Sequence, residues 1–148
     1  MKNVVFSFAF AVLLSISTFA SPLMASEYIG EFCFRAEDND TSTRMMKLGI
    51  THMGGNHFQI AGTWNWEDGS GRSAPINGNL EVIGNNLEAT LTFSFYKPGF
   101  FYTRVSHLEI DTSSLSGNIN LIKHKIDEAT GKVSHGGLNM PVSWIPCS

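Results

Sequence analysis

Leu87-Glu88-Ala89-Thr90-Leu91-Thr92-Phe93-Ser94-Phe95 alternates apolar and polar side chains without a break. Successive side chains of an extended strand point to opposite faces, so this stretch has one dry face and one wet face. The same period recurs on both sides of it. Upstream, Phe58-Gln59-Ile60-Ala61-Gly62-Thr63-Trp64-Asn65-Trp66 places apolar residues or Gly at the even positions, as do Ile76, Gly78, Leu80 and Val82. Downstream, Leu115, Gly117, Ile119 and Leu121 alternate with polar residues, and so do Leu138, Met140, Val142 and Trp144. Weaker strands are expected over 28–35 and 44–52. A further strand over 100–111 loses its period near Ser106-His107, which points to a bulge there.

Turn-forming clusters separate these runs: Gly54-Gly55-Asn56, Asp68-Gly69-Ser70-Gly71, Gly84-Asn85-Asn86, Lys97-Pro98-Gly99, Asp111-Thr112-Ser113 and Gly131. Each supplies residues suited to positive φ or to a preset turn. No segment carries a helical period over ten residues or more, and the charged stretch 123–134 reads as an exposed hairpin loop. Eight short strands with short connections predict an all-β, eight-stranded antiparallel up-and-down barrel, with a β-sandwich as the alternative. The phrase apolar-x-Gly-x-apolar-x-apolar occurs three times, over 60–66, 76–82 and 115–121, with Gly on the dry face each time. A missing side chain there lets a strand coil sharply over the core, as barrel closure requires.

The meander and its Gly phrases resemble the calycin-type barrels, the lipocalins and avidins; Ile60-Ala61-Gly62-Thr63-Trp64 is similar to an avidin strand of the form Leu-x-Gly-x-Tyr. The resemblance implies a barrel and a binding role. It departs from the lipocalins at the opening strand, where Gly30-Glu31-Phe32 stands in place of Gly-x-Trp, and no biotin-site constellation can be matched.

The first 25 residues read as an export signal. Lys2 is followed by an apolar run from Val4 to Ile16 and then by small residues. Cleavage is expected after Ala25 rather than after Ala20, because Pro22 lies just past the earlier cut. The run is too short for a membrane span, which needs about 20 residues, and no later segment is apolar enough. The expected product is a single domain, 26–148, secreted or periplasmic. It carries nine Lys and Arg against thirteen Asp and Glu. That balance lacks the basic patch that nucleic acid or an anionic membrane surface demands. Cys33 and Cys147 are the two cysteines, and in an oxidising compartment they are expected to form a disulfide. Asn39-Asp40-Thr41 fits a glycosylation sequon.

No residue set points to catalysis, a metal or a cofactor. His52 and His57 flank a turn and could approach each other across a hairpin, but two histidines are an incomplete ligand set. His107 and Glu109 share a strand face and read as outer-surface residues. Ser70 lacks the strand–elbow–helix context of a hydrolase nucleophile. The compositional feature that stands out is 93–102, where six of ten residues are aromatic round a Pro-Gly turn. These rings form either a lip at a ligand mouth, a contact patch, or a plug of cross-strand pairs.

Two partner classes follow. The leading one is a small apolar or amphipathic ligand held without catalysis in the barrel, lined by Phe58, Trp64, Trp66, Phe93, Phe95, Tyr102 and Trp144. The alternative is a protein partner, such as the target of an inhibitor or a surface complex, met by Tyr96, Phe100 and Phe101 at the hairpin tip.

Overall fold

A computed structural model describes residues 26–37 and 43–147. The expected signal segment, 1–25, and the sequon at 39–41 lie outside the described residues. Eight strands follow in order: β1 (Glu27–Glu37), β2 (Thr43–Gly54), β3 (His57–Trp66), β4 (Ser73–Ile83), β5 (Asn86–Lys97), β6 (Phe100–Asp111), β7 (Ser116–Asp127) and β8 (Val133–Ile145). Each pairs antiparallel with the next, and β8 returns to β1, which closes the sheet into an up-and-down barrel and excludes the sandwich. The closing ladder is short: it runs only from Cys33 opposite Ile145 to Ala36 opposite Val142. Beyond Ile145 the chain leaves the sheet, and Cys147 returns to bond Cys33 with a Cα–Cα distance of 5.2 Å.

The alternation decides what lies inside. Phe58, Ile60, Trp64, Ile76, Leu80, Leu87, Leu91, Phe93, Ile119 and Leu121 are all buried in one continuous core. Gln59 and Asn79 face out. An eight-stranded barrel has an interior just wide enough for side chains to fill, and the middle of this one is filled. The dry interior differs from the polar lumen of a transmembrane barrel. The inward glycines of the repeated phrase mark close approaches between strands. A Cβ on Gly117 would lie 1.8 Å from the Glu109 carbonyl oxygen, and one on Gly78 would lie 2.2 Å from that of Thr90.

Three sequence readings are corrected. The stretch 123–134 is not a loop: β7 continues to Asp127 and β8 starts at Val133, with only a tight turn between them. No bulge interrupts β6 near Ser106-His107, whose ladders to β5 and β7 run without a shift. The apparent slip arises because Arg104 and Ser106 face inward while Val105 faces out. The shifts in register lie instead between Tyr28 and Gly30 and between His52 and Gly54. Finally, Leu115 belongs to the β6–β7 turn rather than to the buried face of β7; it is a half-buried residue at φ 55°. Its N–H donates to the Asp111 carbonyl at 2.8 Å, and its own carbonyl accepts from the Trp144 N–H at 2.9 Å.

Carboxylates staple three turns. The Asp111 carboxylate accepts from the Ser113 hydroxyl at 2.5 Å and from the Ser113 and Ser114 N–H groups at 2.9 Å each. These bonds, led by the Ser113 hydroxyl, hold its pKa down to about 2. Asp68, bonded by Ser70 and Arg72, and Asp127, bonded by Thr130, are shifted down in the same way. A carboxyl whose folded pKa lies below its unfolded value of about 3.9 stabilises above that value and loses the contribution as pH falls through the folded pKa. The Asp111 staple is therefore expected to hold unchanged from neutrality to about pH 4 and to fail between about 4 and 2. A carboxyl-carbon NMR titration checks this: Asp111 should titrate near 2, and a midpoint near 4 would contradict the turn geometry.

Candidate functional site

The two barrel ends differ. The lower end carries the β2–β3, β4–β5 and β6–β7 turns and is shut by buried residues. His52 faces inward, bonds the Gly55 carbonyl at 3.0 Å and packs on the Phe58 ring at 5.0 Å between centroids. Leu87 and Ile110 close the same end. The upper end carries the β3–β4, β5–β6 and β7–β8 turns, and among the described residues its inward side chains grow more exposed towards the rim.

Its walls follow from strand register. One inward row runs Phe95, Tyr102, Lys125, Ser134 across β5 to β8; the row beneath it runs Phe93, Arg104, Lys123, Gly136. Arg44 and Trp66 face each other from β2 and β3. Trp64 stacks on Phe93 with centroids 4.8 Å apart and forms the floor, at 0% and 3% exposure. Above it, Trp66 meets Phe95 edge-on at 4.7 Å, and Phe95 stacks on Tyr102 at 4.8 Å with planes 6° apart. The cations sit on these rings. The Arg104 guanidinium lies 5.0 Å from the Phe95 centroid, 5.6 Å from Phe93 and 5.8 Å from Trp66. Arg72 lies over Trp66 at 5.1 Å, and the Lys125 ammonium over Phe100 at 3.5 Å. Cation–π attraction strengthens as the cation loses water, which fixes these groups at the rim. Chemically the end is a shallow aromatic cup carrying cations, of which Arg72 is paired with Asp68.

The structure sorts the candidate lining. Trp66, Phe95 and Tyr102 line the cup, while Trp64 and Phe93 are its buried floor. Phe58 and Trp144 do not belong to it. Phe58 lies at the closed end, and Trp144 pairs with Phe34 at the β1–β8 seam near the β6–β7 turn. The proposed outer patch also divides by parity. Tyr96 and Phe101 face out, at 58% and 40% exposure, whereas Phe100 turns in towards Tyr102 and Lys125. The aromatic stretch is thus wall and rim at once. Tyr96 further ties the rim by donating to Glu128 at 3.0 Å.

Arg104, Lys123 and Lys125 escaped the sequence reading because polar residues on a dry face look like a loop or a slipped period. The parity of Ile119 and Leu121, continued by two and four residues, places Lys123 and Lys125 on the inner face. His52 and His57 do not converge: His57 faces out and bonds Glu81 at 3.0 Å. His107 and Glu109 share the outer face, with Glu109 accepting from Asn86 at 3.2 Å. Among the described residues no three His, Cys, Asp or Glu side chains group to hold a metal, and no helix is long and apolar enough to cross a membrane.

No family model and no curated protein matches the chain. A solved structure of EF1p2_mFAP2b bound to DFHBI is similar over 77% of this chain and 90% of that one, at 15% identity and a TM-score of 0.48.

Proposed function

We propose that the protein is an exported, noncatalytic binder of a small amphipathic ligand bearing an anionic group, held in the upper cup. The stacked, half-buried Phe95–Tyr102 pair, one row above Arg104 and beside Lys125, carries this reading. Flat apolar surface receives the ligand body, and the Lys125 ammonium receives its charge. Because the floor is packed, the ligand sits in the mouth rather than the barrel centre. The likeness to lipocalins and avidins supports a binding role, and the N-terminal pattern with the Cys33–Cys147 bond supports a secreted or periplasmic setting.

An anionic apolar dye, anilinonaphthalene sulfonate, tests it by fluorescence titration. Phe95→Ala and Lys125→Gln are each expected to weaken binding about tenfold, the scale of one aromatic contact or one desolvated charge. The outward Ile122→Ala should leave it unchanged. Dye binding indifferent to Phe95 and Lys125 would end the cup hypothesis.

One observation favours the second reading, a protein-binding module. Tyr96, Phe101, Ile126 and Val133 form a single outward apolar row across four strands. A parallel row two steps below contains Val105 and Ile122, the latter 56% exposed. Contiguous exposed apolar surface marks partner sites. Under this reading Phe101→Ala abolishes capture of a protein partner and Phe95→Ala does not.

A further inference from the structure

Between those two apolar rows lies a different one: Ser94, Thr103, His124 and His135, directly opposite one another on β5 to β8. We propose that His124 and His135 form a two-imidazole site for a divalent transition metal on the outer wall of the β7–β8 hairpin.

The hairpin's own register builds the pair. The Asp127 N–H donates to the Lys132 carbonyl at 2.9 Å, so that position is a hydrogen-bonded pair of the ladder. Alternation then makes 126 with 133 a non-bonded pair, 125 with 134 a bonded one and 124 with 135 a non-bonded one. Side chains are closest at non-bonded pairs. The two Nδ1 atoms accordingly lie 2.7 Å apart, with the rings nearly perpendicular at 86°. At that distance one nitrogen donates and the other accepts, so at least one lone pair already points into the gap. A metal ion uses both. With metal–nitrogen bonds of about 2.0–2.1 Å, the nitrogens need a separation of about 2.8–3.0 Å at adjacent positions of a tetragonal copper(II) and about 3.3–3.4 Å at a tetrahedral zinc. A small χ rotation of the exposed His135 ring supplies the difference.

The charges around the pair permit a cation. Lys123 and Lys125 neighbour His124 in sequence but project to the opposite face, where Lys125 lies over Phe100. The same row offers the Thr103 and Ser94 hydroxyls, 3.3 Å from each other. No third His, Cys, Asp or Glu joins the pair among the described residues. The remaining coordination positions are therefore open to water or to an outside ligand, and the ion is exchangeable rather than structural. Imidazole nitrogen selects copper, nickel and zinc over calcium and magnesium, with copper(II) tightest. The site does not depend on the cup reading, since it lies on the other side of the wall.

Copper(II) chloride titrated into the metal-free mature chain tests it, read by isothermal calorimetry and by electron paramagnetic resonance. One ion per chain is expected, with coupling to two nitrogens. Zinc should compete more weakly, and magnesium not at all. His124→Gln and His135→Gln should each reduce affinity by at least about tenfold, or about 1.4 kcal/mol. His57→Gln and His107→Gln should leave it unchanged. A rise in melting temperature with copper, lost in either variant, would support binding to the folded hairpin. Copper affinity that survives His135→Gln, or that falls with His57→Gln, overturns the assignment, as does the absence of any bound ion in the unaltered chain.

Discussion

Replacing Cys33 and Cys147 together with serine is expected to lower the unfolding free energy by about 4–5 kcal/mol, the chain-entropy value for a loop of this size. The bond closes a sequence separation of 114, nearly the whole domain. Its position adds to its effect. Every other seam of the barrel pairs over eight or more positions, whereas β1 meets β8 only from Cys33 to Ala36. The disulfide lies at the end of that short ladder and holds together the seam with the fewest backbone bonds of its own. Losing it should open β1 from β8 before the other ladders part, exposing two strand edges that invite intermolecular pairing. Denaturant melts with and without reductant measure the cost, and the melting temperature should fall by roughly 15–20 °C. Hydrogen exchange should quicken first in β1 and β8. A change below about 1 kcal/mol, or uniform quickening in all strands, would show that the ladder closes the barrel unaided.

How far this architecture was legible depended on how cleanly each strand obeyed the period of two. Strands β3, β4 and β5 place their buried side chains on one parity, as read, with Val82 only half-buried and Ile83 and Tyr96 facing out at the strand ends. The glycines of the repeated phrase read as points where a strand coils over the core; at Gly78 and Gly117 a neighbouring carbonyl, of Thr90 or Glu109, stands where a Cβ would go. The reading failed where an inward side chain was polar. Ser106 sits fully inside and its hydroxyl lacks a partner among the described residues. With Arg104 it made β6 look slipped, and Lys123 and Lys125 made the upper half of β7 look like a loop. The failures at Arg104, Lys123 and Lys125 lie towards the upper end, where water reaches the inner wall, so the wall no longer needs to be apolar. The floor of the cup was legible from composition and the charged rim was not. Which aromatics share an end was also unreadable, because it depends on strand stagger: Phe58 and Trp144 carry the right chemistry at the wrong height.

Trp64→Ala is expected to cost about 3–5 kcal/mol, the range for emptying a buried aromatic site. Trp64 is the largest fully buried side chain and stacks on Phe93. Its neighbours belong to opposing strands fixed by continuous ladders, so they have little freedom to collapse into the void. A domain of this size has about 5–15 kcal/mol in total, and the variant would lose dye binding simply by loosening the barrel. Trp64→Phe separates the two effects. The indole Nε1 is buried without a hydrogen-bond partner among the described residues, and an unpaired buried donor costs about 1–3 kcal/mol. Phenylalanine keeps a ring on Phe93, removes that donor and forfeits part of the packing, so the net change should stay within about 1–2 kcal/mol. Because Trp64 lies beneath the cup rather than in it, Trp64→Phe should retain nearly full dye affinity, while Phe95→Ala stays folded and loses about tenfold. Chemical denaturation and dye titration on the same three variants give both readouts. If Trp64→Phe lost affinity while keeping its stability, ligand would have to reach the floor, and the barrel interior rather than its mouth would be the binding site.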